Sequence, residues 1–154
     1  KGHFEGVLNI MNRLLYLIKA RYVFMGEKDF QQLYMIKKYL SKKYNINIVS
    51  CKTIRDNKQI ALSTRNNLLS RNKYSKVVKI VNEFKLLKKR LLFNKNYLKI
   101  SLLNRKKKIE KKYKIKMDYL EIRDEKKLMF PNKNNKFRLF VAFWIDNVRL
   151  IDNY

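Results

Sequence analysis

The sequence predicts two structural classes in succession, an α/β arrangement in residues 1–53 and a small α+β domain in residues 54–154. In the first part, helical apolar periodicity alternates with short apolar runs, and the connections between them are short. This pattern is typical of parallel strands joined by helices. In the second part, two long amphipathic segments precede runs of alternating apolar and polar residues, which indicates helices packed on an antiparallel sheet. The boundary is expected near Ile54.

The first part is expected to contain two helices and two strands. Apolar residues recur at helical spacing over 5–19, and an uninterrupted apolar run at 22–25, ending at Gly26, predicts a buried strand. A second helix is expected to begin at Asp29, and a second strand to span 46–51.

The second part is expected to contain a loop or hairpin, two helices and three strands. The loop or hairpin is predicted at 53–67, the helices at 72–93 and 96–113, and the strands at 115–122, 137–145 and 148–151. Pro131 and the asparagine-rich stretch 132–135 indicate a turn. The core is expected to include the aromatic residues Phe140, Phe143 and Trp144.

The composition excludes several classes of protein. Of 154 residues, 46% are apolar, which is too many for a disordered basic tail. No apolar run approaches the roughly 18 residues of a membrane helix, so no membrane partner is expected. The single cysteine cannot form an internal disulfide, and a reducing, cytoplasmic location is the simple interpretation.

The net charge of +26 suggests nucleic-acid binding, but the residue types favour another origin. Lys outnumbers Arg by 28 to 10, and Ala occurs three times. Nucleic-acid surfaces usually recruit Arg, whereas abundant Lys, Asn and Ile with little Ala are typical of AT-rich codons. No specific nucleic-acid partner is therefore expected. A basic nucleic-acid-binding domain and a non-catalytic partner-binding module remain alternatives.

The first candidate site is the stretch 26–32, where a predicted strand ends and a helix begins. Ligands of open α/β sheets bind beyond the carboxyl ends of the strands, and helix starts favour anions. Gly26 would let a phosphate or ribose approach the backbone, and Lys28 would add a mobile charge. Alternatively, Gly26 is a turn residue, and Asp29 with Gln32 forms a capping box.

The second candidate site is the stretch 61–66. The hydroxyls of Ser63 and Thr64 and the guanidinium of Arg65 can donate several hydrogen bonds to phosphate oxygens. A plain turn with an N-capping hydroxyl explains the same residues. Structural roles are assigned to the only histidine, His3, and to Cys51, which is expected to be an inert core residue.

Six segments together resemble the pantoate–β-alanine ligase family, in the order in which that family has them. They are GHFEGV at 2–7, FMGEKDFQQL at 24–33, TIRD at 53–56, IALSTRN at 60–66, DYLEIR at 118–123 and RLIDN at 149–153. The resemblance therefore covers nearly the whole chain, and several ordered segments are far more specific than any one of them.

This resemblance implies a fold, a reaction and partners. Residues 1–53 would be the C-terminal part of a Rossmann-like nucleotidyltransferase domain that binds ATP and pantoate, and residues 54–154 a small α+β C-terminal domain with a phosphate-binding loop. The family uses ATP and Mg²⁺ to convert pantoate to pantoyl adenylate, which β-alanine attacks to give pantothenate and AMP. A homodimer is the usual assembly.

The resemblance also assigns roles to individual residues. ATP would be bound by Gly26, Glu27, Lys28, Asp29, Ile54, Leu62, Ser63, Thr64 and Arg65. Gly26 and Asp29 would lie near the ribose, Lys28 at the phosphates and Ile54 on the adenine side. Gln32 would hold pantoate. Thr64 stands where the family more often has a second serine, and the hydroxyl is retained.

One family motif is absent from the sequence. The His-x-Gly-His motif, whose histidines stabilise the phosphates, does not occur, and His3 belongs to another segment. No catalytic or metal-binding residue is therefore assigned. The chain is expected to correspond to the C-terminal part of the enzyme and to be inactive alone.

Overall fold

The computed structural model describes residues 2–93, 99–132 and 135–154. These residues form two compact units, Lys1–Thr53 and Ile54–Tyr154. Among the described residues, no helix combines the length and apolarity that a membrane crossing requires.

The first unit consists of two helices and a pair of parallel strands. The elements in chain order are α1 (His3–Ile18), β1 (Tyr22–Gly26), a 3₁₀ turn (Glu27–Asp29), α2 (Phe30–Leu40) and β2 (Asn47–Cys51). The strands pair in parallel, with Gly26 opposite Cys51, as the short helical connection predicts. The buried residues of this unit's apolar cluster are Leu15, Ile36, Leu40 and Ile46.

The strand predicted at 22–25 is present as β1, but the strands of the first unit are only partly covered, and on one face, so the expectation that this strand is buried is wrong. Val23 and Met25 pack in the apolar cluster with Ile48. Tyr22 and Phe24 lie on the other face and are 55% and 69% exposed. Successive side chains of a strand point to opposite faces, and the unit's own helices supply apolar partners to one of them.

Cys51 is exposed, which corrects its assignment to the core. It is the last residue of β2, two positions after Val49, and Val49 pairs with Phe24, so Cys51 lies on the same open face as Phe24. Its thiol is free.

The second unit is an antiparallel sheet packed against two helices. Its elements are a 3₁₀ helix (Thr64–Leu68), α3 (Arg71–Phe93), α4 (Lys99–Tyr113), β3 (Lys116–Asp124), β4 (Phe137–Ile145) and β5 (Val148–Asn153). The strand order is β3-β4-β5, and both pairs are antiparallel. The central strand is almost wholly buried. Within the part of the chain that the structure describes, one apolar cluster of 18 buried residues extends from Ile60 to Leu150.

Two expected features of the second unit extend beyond the described residues. The helix predicted at 96–113 is described from Lys99, and the turn predicted at 132–135 includes residues 133 and 134, which lie outside the described ranges. Phe140 and Phe143 are buried as expected. Trp144 is only half-buried, which corrects its assignment to the core, and its indole nitrogen donates a hydrogen bond to Asp118 Oδ1 at 2.8 Å.

Candidate functional site

Gly26 leaves an open backbone surface at the carboxyl end of β1. Its φ and ψ of −69° and 133° are ordinary extended values. No heavy atom lies within 4 Å of the position that a Cβ would occupy, apart from its chain neighbours. Neither backbone conformation nor packing in the described structure therefore requires glycine here. Since β1 and β2 are parallel, Gly26 and Cys51 end at the same edge of the sheet, where open α/β sheets bind ligands.

The turn and capping explanations of this segment are not supported. Gly26 is extended and pairs within the strand. Asp29 precedes α2 but makes no capping hydrogen bond through its side chain, so the Asp29–Gln32 capping box does not form. The chain instead enters α2 through the 3₁₀ turn Glu27–Asp29. Gln32 lies in the first turn of the helix and is half-buried.

The second candidate segment begins in the second arm of a small hairpin in the second unit and continues into a 3₁₀ helix. The amide of Leu62 donates to the carbonyl of Ile54 at 3.0 Å, and Arg55 pairs with Ala61 in an antiparallel bridge. Ile54 therefore lies directly beside Leu62, although the family resemblance assigns Ile54 to the adenine and Leu62 to the phosphate-binding loop. The Ile54 side chain is 72% exposed.

Ser63 caps the 3₁₀ helix that follows. Its Oγ accepts a hydrogen bond from the amide of Arg65 at 3.3 Å, so the capping hydroxyl expected as the alternative explanation is present. Thr64 and Arg65 are exposed. A capping oxygen still has its own proton to donate, and the segment presents two hydroxyls and a guanidinium within three consecutive residues.

Two charged side chains, Arg55 and Asp56, anchor this hairpin, and sequence reasoning missed both. Arg55 Nη1 and Nη2 donate to the two carboxylate oxygens of Asp152 at 2.7 and 2.9 Å. Asp56 accepts from the amides of Lys58 and Ile60 and, at 2.5 Å, from the hydroxyl of Tyr74. The only signal available was indirect, since Arg55, Asp56 and Asp152 all fall within the segments that carry the family resemblance.

The pKa values of these groups reflect the anchors. Burial lowers the pKa of Arg55, but the hydrogen bond and charge of Asp152 outweigh it and the net shift is upward. Burial raises the pKa of Asp56, but the Tyr74 hydroxyl and the two amides outweigh it and the net shift is downward. The same bond raises the pKa of Tyr74 to about 12. At neutral pH, Arg55 is therefore positively charged, Asp56 is negatively charged and Tyr74 keeps its hydroxyl proton.

The predicted site residues form one group in each unit. Gly26, Glu27, Lys28, Asp29 and Gln32 lie within the first unit, and Ile54 with Leu62–Arg65 lies within the second. His3 is exposed at the start of α1. In the described ranges no group of three or more His, Cys, Asp or Glu residues is arranged to hold a metal ion.

Comparisons with known proteins agree on one family. The family model described as pantoate-beta-alanine ligase matches residues 1–154. The chain is 36% identical to a pantothenate synthetase from Flavobacterium psychrophilum, over 99% of the chain and 55% of that protein. It is 34% identical to one from Buchnera aphidicola, over 99% and 54%. The chain thus spans about half the length of the curated relatives that it matches.

Solved structures agree with the sequence matches. A pantothenate synthetase from Thermus thermophilus has a TM-score of 0.82 and 26% identity, over 99% of this chain and 56% of that one. A pantoate-beta-alanine ligase from Francisella tularensis, complexed with beta-gamma ATP and beta-alanine, has a TM-score of 0.71 and 31% identity, over 99% and 50%. The family resemblance and the mixed α/β fold class expected from the sequence are confirmed.

Proposed function

The chain belongs to the pantoate-beta-alanine ligase family, and from this premise we propose that the protein containing it uses ATP to condense pantoate with β-alanine. A pantoate carboxylate oxygen attacks the α-phosphorus of ATP, and pyrophosphate leaves. The β-alanine amine then attacks the acyl carbon of pantoyl adenylate, and AMP leaves. The family match over the full chain carries this proposal, and the ATP and β-alanine in the Francisella complex support the substrates.

In the first unit, we assign ATP contacts to Gly26, Glu27, Lys28 and Asp29, and pantoate to Gln32. The open surface over Gly26 supports this assignment, because it lets a nucleotide lie against the backbone at the sheet edge. Lys28 would supply positive charge to the phosphates. Gln32, in the first turn of α2, would orient the pantoate through its amide.

In the second unit, we assign Ile54 to the adenine side and Leu62–Arg65 to the phosphates. The backbone hydrogen bond between Ile54 and Leu62 supports contact with a single nucleotide, because it places the two segments side by side. Adenylation moves negative charge onto pyrophosphate, which the Arg65 guanidinium and the hydroxyls of Ser63 and Thr64 would stabilise. No covalent enzyme intermediate is required.

Magnesium is assigned to the substrate and not to a protein cage. The described residues offer no cluster of carboxylates or histidines for it, and Mg²⁺ commonly binds through substrate phosphates and water. When bound to ATP, it would neutralise part of the phosphate charge. A cytoplasmic location and a homodimer are also proposed, the first from the free thiol of Cys51 and the second from the family alone.

The proposal is tested with the full-length protein that contains this chain. AMP and pantothenate should form only when ATP, pantoate and β-alanine are all present. The 154-residue chain alone should form neither, because its sequence lacks the His-x-Gly-His motif. Absence of AMP release from the full-length protein under these conditions would overturn the assignment.

The charge of +26 favours one second candidate function, nucleic-acid binding. That function predicts RNA affinity with a steep dependence on salt and no competition by ATP. The described anchors argue against a dedicated RNA surface, since Arg55, Arg105, Arg123, Arg138 and Arg149 are each paired with a carboxylate.

A further inference from the structure

We infer that Arg55 and Asp152 are a positioning pair that fixes the segment Leu62–Arg65 for phosphate binding, an inference that rests on the proposed function. The two side chains are 97 positions apart and form a bidentate ion pair at 2.7 and 2.9 Å. Asp152 is 6% exposed and Arg55 is 18% exposed. Bidentate pairing fixes the orientation of the guanidinium as well as its distance.

Several other groups of the second unit also contact the Arg55 side chain. Besides Asp152, it donates to the carbonyls of Gln59 and Asn153, both at 3.2 Å, and its guanidinium carbon lies 5.0 Å from the centre of the Tyr154 ring. Asp152, Asn153 and Tyr154 belong to β5 and the residue after it. The pair therefore ties the first arm of the hairpin to an edge strand of the sheet.

The position of Arg55 is passed to the phosphate-binding segment through the backbone. Arg55 bridges Ala61, the residue directly before Leu62. The carbonyl of Ala61 also accepts a hydrogen bond from Asn66 Nδ2 at 3.1 Å. The two residues that flank Leu62–Arg65, Ala61 and Asn66, are thus joined to each other, while Thr64 and Arg65 between them remain exposed. A segment fixed at its base has less conformational entropy to lose when phosphates bind.

Stability alone does not require the bidentate geometry of the Arg55–Asp152 pair. Buried ion pairs are often replaceable by apolar residues at little cost to the free energy of unfolding. A planar fork on a carboxylate, in contrast, fixes an angle that a lysine ammonium does not. If the role is positioning, Arg55→Lys should impair ATP binding even though charge and burial are retained.

The kinetic test compares Asp152→Asn and Arg55→Lys in the full-length protein with Asp118→Asn and Arg149→Lys. The control pair is also an Arg–Asp pair, joined at 2.6 Å between β3 and β5. We expect the Asp152 and Arg55 variants to raise KM for ATP at least tenfold with KM for pantoate unchanged, because Gln32 lies in the first unit. A purely structural loss would lower the active fraction and hence kcat, without this selective change in KM.

The second readout does not depend on activity. Exchange of the Leu62 and Asn66 amides, which donate to Ile54 and Ser63, should be at least tenfold faster in Arg55→Lys than in wild type or Arg149→Lys. Unchanged exchange, or a KM for ATP that matches the control pair, overturns the positioning role. If wild type releases no AMP, the proposed function fails, whereas accelerated exchange would still show that the pair anchors the segment.

Discussion

A substitution at Gly26 can distinguish a glycine that the fold requires from a glycine that the ligand requires. Its extended φ and the empty space around its Cα mean that alanine fits without strain. Gly26→Ala should therefore leave the free energy of unfolding unchanged or raise it by up to about 1 kcal/mol. Because the added methyl occupies the surface proposed for the nucleotide, KM for ATP should rise roughly tenfold or more.

Gly6→Ala is the matched control for that substitution. Gly6 lies inside α1 and also has no atom within 4 Å of a built Cβ, so alanine should stabilise the helix by about 0.5–1 kcal/mol. It should not change the kinetics of ATP use. Denaturant unfolding and initial rates of AMP release measure both effects, and a Gly26→Ala enzyme with wild-type KM for ATP would remove Gly26 from the site.

Lys88 gives the second unit a pH-dependent stability. Its Nζ donates to the carbonyl of Phe137 and lies 3.8 Å from the centre of the Phe137 ring. Burial lowers its pKa to about 8, with Glu125 raising it and Arg138 lowering it further. An unfolded lysine keeps its proton up to about pH 10.4, so between these values the unfolded chain binds more protons. The contribution of Lys88 to the free energy of unfolding should therefore rise from pH 8 to pH 10.

Lys88→Met should remove this component of the pH dependence. Urea titrations at several pH values give the slope of the unfolding free energy against pH for wild type and for Lys88→Met. The difference between the two slopes belongs to Lys88, since the other titrating groups contribute equally to both proteins. Lys89→Met, at the next and exposed position of α3, should retain the wild-type slope. Equal slopes for wild type and Lys88→Met would show that Lys88 titrates normally.

At the scale of elements, periodicity predicted most of the fold, because each helix and strand carries its own apolar pattern. The helix at 5–19 and the strand at 137–145 correspond closely to α1 and β4. The failures at Phe24 and Cys51 have one cause. An apolar run in the sequence does not show whether one or both faces of a strand are covered by other elements. In the first unit, the apolar cluster covers one face of β1.

The candidate site was predictable only in part. Segments 26–29 and 62–65 are visible as short motifs, because glycine, lysine and hydroxyl residues cluster within a few positions. The Arg55–Asp152 pair joins positions 97 residues apart. No local pattern marks either residue as one of a pair, and only the tertiary structure brings them together.

The turn between Asp56 and Ile60 depends on a hydroxyl from α3. Tyr74, in the first turn of that helix, donates to Asp56 Oδ2, and hydrogen bonds to charged groups contribute about 1.5–3 kcal/mol when intact. Tyr74→Phe should lower the free energy of unfolding at pH 7 by about 1–2 kcal/mol. The lowered pKa of Asp56 means that this stability is present above the unfolded pKa and is lost as the pH falls through the folded one.

The loss caused by Tyr74→Phe should accordingly shrink below about pH 3.9, the usual pKa of an aspartate. Urea unfolding at pH 7 and pH 3 measures the difference. Tyr16→Phe removes a hydroxyl from a 70% exposed side chain and should change neither value. A destabilisation by Tyr74→Phe of the same size at both pH values would mean that the Asp56 charge has no part in it.

At the scale of the whole molecule, charge and fold have separate origins. A net charge of +26 acts on every folded state through self-repulsion and on association with polyanions, but it selects no fold. The carboxylates are few, and the described ones are concentrated in anchors. Glu83 binds Arg105 and Lys112 between α3 and α4, and Asp118 binds Arg149 between β3 and β5. Scarce acidic residues thus hold elements together.

The two units differ greatly in the size of their cores. Among the described residues, the apolar cluster of the second unit has 18 buried members, whereas that of the first has four, and the two clusters share no member. Since burial of apolar surface is the dominant stabilising term, the first unit of the 154-residue chain should unfold at a lower denaturant concentration than the second. Unfolding should then not follow a two-state transition.

Matched core variants assign the two transitions. The only tryptophan, Trp144, lies in β4 and reports on the second unit, whereas amide exchange in α1 and α2 reports on the first. Ile36 and Ile80 are both fully buried, one in each cluster, and substitution by alanine costs about 2–5 kcal/mol at such sites. Ile36→Ala should shift the exchange transition and leave the Trp144 fluorescence midpoint unchanged, and Ile80→Ala should move the fluorescence midpoint. Coincident midpoints that both variants shift together would show that the chain unfolds as one cooperative body.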